Sequence, residues 1–81
     1  MTGATTQIYV YLPDESVAVW RPVLAEHLEG DIYRILDQPY DMADERWEFG
    51  PGEKVICRMI DLYEGRVLAA TASAVLPLQK R

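Results

Sequence analysis

The chain carries one histidine and one cysteine, His27 and Cys57, and these are the first residues to ask for chemistry. A histidine near neutrality serves as a base or a metal ligand, but only with partners at fixed spacing. No cysteine, serine or acid stands at a recognised catalytic spacing from His27, so it reads as a half-exposed structural residue. Cys57 sits in "KVICRM" among apolar residues, where a thiol packs as a small hydrophobe. Ser16 falls in a turn and Ser73 near the end of the chain, neither in a GxSxG setting. The carboxylates are denser: Asp37, Asp41, Asp44, Glu45 and Glu48 lie within twelve residues, interrupted by Pro39 and Tyr40. Clustered carboxylates suit hard cations, yet this spacing fits no calcium loop. The segment is expected to be a solvated acidic loop, with recognition of a basic partner as its functional alternative. No catalytic residue, metal ligand or cofactor is expected, and the chain is read as a non-enzyme.

The rings are the second informative set. Eight aromatic side chains, Tyr9, Tyr11, Trp20, Tyr33, Tyr40, Trp47, Phe49 and Tyr63, are more than a small two-layered core holds. Trp20, Tyr33 and Phe49 fall where strands point inward and are assigned to the core. Tyr9, Tyr11, Tyr40 and Trp47 are free to line a surface. With Asp41, Asp44 and Glu45 they make the candidate partner surface, because aromatic grooves beside acidic loops hold proline-rich segments that carry a basic residue.

These residues need strands to position them. "QIYVYL" sets Ile8, Val10 and Leu12 on one side and Tyr9 and Tyr11 on the other, a period of two built from β-formers. "PDES" follows as a turn. "VWRPVLAEHLEGDIYRIL" supports two structures. In a helix, Pro22 takes the first position, Leu24 and Leu28 stack, and Gly30 caps the end. In a hairpin, two strands meet at "EGD". The remainder decides: "ERWEF", "EKVICRMIDL" and "RVLAATA" all read as strands, separated by the glycine turns "GPG" and "YEGR". The expected fold is all-β, a small barrel of about five or six antiparallel strands, with a short helical turn over 25–29 as the local alternative.

"VWRPV", "YRI", "WEFGPGEKVIC" and "EGRVLAA", in this order after "IYVYL", resemble a group of small bacterial proteins of uncharacterised function with an SH3-like β-barrel. The resemblance covers about residues 7 to 70. It implies that the Trp20 region pairs into the sheet, and it brings neither catalytic residues nor a ligand. "LAEHLEG" and "DQPYDMADE" are the stretches that depart from it.

Eighty-one residues make one domain, placed at 7–75 with flexible tails at 1–6 and 76–81. Eight basic against thirteen acidic side chains give a net charge of -5, and the basic residues come singly except Lys80 and Arg81. Nucleic acid is therefore disfavoured as a partner. A single cysteine excludes an intrachain disulfide, and with no secretory leader in view a reducing cytoplasm is expected. No apolar run approaches the roughly 18 residues of a membrane helix. The expected function is a non-catalytic protein or peptide interaction module of a bacterial cytoplasm, with a partner of basic character. An RNA-binding small barrel is the alternative, and a subunit of a larger enzyme or assembly the next. The oligomeric state is left open.

Overall fold

A computed structural model describes residues 5–39, 46–63 and 65–74. Five strands, β1 (Thr5–Tyr11), β2 (Trp20–Glu29), β3 (Ile32–Ile35), β4 (Lys54–Leu62) and β5 (Gly65–Ser73), follow in that order. Each is hydrogen-bonded to the next and β5 returns to β1, so the sheet closes into an all-β barrel consistent with a small SH3-like barrel. Among the described residues no helix is long and apolar enough to cross a membrane.

The ambiguous segment is a hairpin. Its apolar residues follow a period of two: Val23 and Ala25 are buried, whereas Leu24 and Leu28, the pair a helix would have stacked, face out. Gly30 turns the chain at a φ of 50°, a left-handed conformation that glycine adopts without steric cost. The "GPG" turn likewise has Gly52 at a φ of 88°, and its N–H donates to the Ile35 carbonyl at 2.7 Å.

The four sequential strand pairs are antiparallel as expected, and the closing pair of β5 with β1 is parallel, because a meander with an odd number of strands brings the last back alongside the first in the same direction; Tyr9 pairs with Ala69. Two expectations need correction. β1 starts at Thr5, inside the stretch assigned to a flexible tail. Residues 46–49 of "ERWEF" form no strand. Their alternation persists, with Trp47 buried, Glu48 exposed and Phe49 half-buried, and the Glu48 N–H ties them to the sheet by donating to the Tyr11 carbonyl at 2.8 Å.

That tie places Trp47 in the core beside Ile8, Val10 and Val55, at 7% exposure, and leaves Trp20 half-buried. The assignment of Trp20 to the core and Trp47 to the surface is thus reversed. Tyr33 and Phe49 pack against the core as expected. Cys57 and Val55 lie within it.

One polar side chain completes the sheet. β3 is four residues long beside a β2 of ten, so β2 outruns it. At Leu24 the missing strand is supplied by Gln38, whose Oε1 accepts from the Leu24 N–H at 3.0 Å. Its Nε2 donates to the carbonyls of Leu24 at 2.9 Å and Leu36 at 2.7 Å. The Leu36 N–H also donates to the Leu24 carbonyl.

Trp47→Ala is expected to cost about 3–5 kcal/mol, the range for truncating a buried tryptophan. Trp20→Ala is expected to cost about 1–2 kcal/mol, from partial burial and one ring pair. Urea melts of the two variants check this order.

Candidate functional site

Because Ile8 and Val10 point into the barrel, Tyr9 and Tyr11 stand on its outer face, both half-buried. The β1–β2 register sets Pro22 opposite Tyr9 and Trp20 opposite Tyr11. The Tyr11 and Trp20 rings pack with centroids 5.2 Å apart and planes tilted by 55°, a separation within the range favoured by aromatic pairs. Gln7 Nε2 donates to the Tyr9 hydroxyl at 3.4 Å. Three rings and a proline thus form one stripe outside the core.

The stripe borders an open groove of about 290 Å³, lined by Ala18, Val19 and Trp20 on one side and by Leu62 and Tyr63 on the other. The loop carrying Ala18 and Val19 is held by the Leu12 N–H, which donates to the Val19 carbonyl at 3.0 Å, and the "PDES" turn lies within it. Val17 is 69% exposed, and Tyr63, in the β4–β5 turn, stands fully in solvent. Asp14 and Asp61 form exposed ion pairs with Arg46 at 3.6 Å and Arg66 at 3.3 Å. Such pairs are screened and contribute little to stability. A second depression, lined by Arg34, Ile35, Leu36, Asp37, Pro51 and Gly52, is larger but holds no aromatic ring, and its Arg34 is engaged with Glu26.

Of the candidate surface, Tyr9 and Tyr11 come together on the barrel exterior. Trp47 does not join them, since it fills the core. Tyr40, Asp41, Asp44 and Glu45 lie outside the described residues. Trp20, Leu62 and Tyr63 belong to the groove and were not in the sequence-based set. The signal for Trp20 was its place directly opposite Tyr11 once the hairpin is drawn. For Tyr63 it was its position in a glycine turn, where a ring has no inward direction.

The reactive residues are engaged structurally. The His27 ring stacks on Tyr33 at 4.6 Å between centroids, and its Nε2 meets the Gly30 carbonyl at 2.8 Å, bracing the hairpin. Burial, and then the negative charge of Asp31, push the Cys57 thiol up to about 11, so it stays protonated and unreactive near neutrality. Burial also raises the Tyr33 hydroxyl, with smaller contributions from Cys57 and Asp31.

The chain matches no family model, and no curated protein and no solved structure matches it.

The raised thiol has a consequence in alkali. A group whose acidity is weakened by folding adds stability that is full below its unfolded value and is lost as pH rises through its folded value. For Cys57 that window runs from 9.0 to about 11. Chemical melts between pH 8 and 11 should show stability falling, and Cys57→Ala should flatten that fall. An unchanged slope would assign the alkaline loss to other groups.

Proposed function

We propose that the protein is a small non-catalytic interaction module of a bacterial cytoplasm, holding a protein segment with apolar and basic side chains in the groove between Trp20 and Tyr63. The observation that carries this reading is the pair of rings left outside a core already filled by Trp47. Covering such a surface returns about 25 cal/mol for each Å² of apolar area removed from water. Tryptophan and tyrosine also supply a disproportionate share of binding energy at interfaces.

Charge supports a basic partner. The chain carries a net -5, and Asp41, Asp44 and Glu45 concentrate three carboxylates in the segment leading to Arg46. Arg34, Arg46, Arg58 and Arg66 each face a carboxylate of their own chain, which leaves them poorly placed to neutralise phosphates. The resemblance to small bacterial SH3-like barrels is compatible with peptide recognition, although a fold alone does not fix a function.

The test is a titration of isotope-labelled protein with a set of proline-rich peptides, with and without arginine. Amide shifts are expected at Val17, Val19, Trp20, Leu62 and Tyr63, with Trp20→Ala and Tyr63→Ala each weakening binding at least tenfold. The triple change Asp41→Asn, Asp44→Asn and Glu45→Gln should slow association and reduce its salt dependence, with stability altered by less than about 1 kcal/mol. Shifts confined to the depression around Arg34 and Gly52 would reject the groove as the site.

A further inference from the structure

The backbone groups of β4 divide between its two neighbours. The Cys57 N–H donates to the Asp31 carbonyl at 2.8 Å, and the Ala74 N–H donates to the Lys54 carbonyl at 2.9 Å. In an antiparallel ladder this alternation continues along the strand, so odd-numbered residues of β4 face the β3 side and even-numbered residues face β5. Pairing with β3 ends at Ile56, and Asp31 adds the bond at Cys57, while β4 runs on to Leu62. The N–H and C=O groups of Met59 and Asp61 therefore point away from β5. Among the described residues no backbone group pairs with them.

Several comparable positions elsewhere in the barrel have a closing group. At the edge of β1, Tyr9 has Ala69 and Tyr11 has Glu48. At the edge of β2, Leu24 has Gln38, and Pro22 carries no N–H to offer. Natural sheets guard exposed edges with prolines, bulges or covering groups, because a bare edge recruits another strand. The stretch from Arg58 to Leu62 has no proline, and its pairing with β5 is regular.

We propose that a second copy of this chain covers this edge, the two β4 strands pairing antiparallel about a twofold axis at Ile60. In that register Met59 lies opposite Asp61 of the second copy, and each such pair exchanges both of its backbone bonds. Ile60 meets Ile60, and Arg58 lies opposite Leu62. No like charges stand directly opposite each other, a condition sheet pairing requires.

The local charges also favour self-pairing over a basic foreign segment. Arg58 and Asp61 cancel, and each already has a partner within its own chain, Asp31 at 3.7 Å and Arg66 at 3.3 Å. The edge thus offers a basic segment no net attraction, and self-pairing brings no unpaired charge to it. Ile60, half-buried in the single chain, gains apolar cover from Ile60 of the second copy. Twofold pairing of identical surfaces is the commonest form of protein assembly.

Salt separates this interface from the peptide groove. Two copies of net charge -5 repel, so added salt should tighten the dimer, whereas it should weaken binding of a basic peptide. Sedimentation of the full chain over a range of concentrations, at low and high salt, is expected to show a monomer–dimer equilibrium that shifts toward dimer in salt. Hydrogen exchange should show the Met59 and Asp61 amides protected in the dimer and released on dilution. Met59→Pro removes an N–H that makes no bond within the chain, so it should leave the barrel folded and weaken dimerisation at least tenfold. Should the ring disturb the strand, Met59→Asp gives an independent variant, setting a carboxylate opposite Asp61 of the second copy, with the same expected loss. A monomer at every concentration and salt, a dimer that both variants leave intact, or Met59 and Asp61 amides protected in a concentration-independent monomer would each overturn the proposal.

Discussion

A short β3 governs this barrel. With four residues between strands of ten and nine, it cannot satisfy the backbone of either neighbour along its length. A buried or half-buried N–H or C=O without a partner costs about 1–3 kcal/mol, a large share of what a domain of this size has to spare. The chain meets this constraint with local substitutes for strand pairing. The amide of Gln38 copies the donor and acceptor of a strand residue against Leu24, and Glu48 reaches Tyr11 from an irregular segment. Pro22 removes a donor where no acceptor is offered. The "GPG" turn returns the chain to Ile35, so β4 begins in register with β3.

These substitutes explain where the rings went. Once the segment at 46–49 closes the free side of Tyr11, Trp47 is carried into the barrel and occupies the space that a small core can give to one large ring. Trp20, opposite Tyr11 at the start of β2, is held outside against that ring. The outer stripe and the groove beside it are thus consequences of how the barrel closes. The same closure leaves Met59 and Asp61 facing outward, because β4 runs past β3 and among the described residues no backbone group pairs with that overhang.

Much of the fold was legible in the alternation of apolar residues. Ile8 and Val10, Val23 and Ala25, and Val55 and Cys57 each declare a strand with one inward face. Gly30 and Gly52 mark turns that other residues adopt only with strain. Trp47 was not legible. "ERWEF" has the alternation of a strand, but residues 46–49 meet the sheet only at the end of β1, through the Glu48 N–H and the Tyr11 carbonyl, and pattern alone does not reveal where a neighbour ends. The parallel closing pair follows from counting five strands, and the count was uncertain while "ERWEF" stood among them. Of the candidate surface, the outward position of Tyr9 and Tyr11 was legible as well, because their neighbours Ile8 and Val10 are core residues. Gln38 gave no signal, since nothing in "LDQPY" distinguishes a glutamine that replaces a strand from one that faces water.

Gln38 serves as a strand residue for β2, and the amide hydrogen exchange of Leu24 tests that role most directly. In the parent protein the Leu24 N–H should exchange as slowly as ladder amides such as Val23, although no strand flanks it on that side. In Gln38→Ala its protection should fall at least tenfold while Val23 remains protected. A Leu24 amide that exchanges as fast as Val17 in the parent, or that is unaffected by Gln38→Ala, would contradict the account.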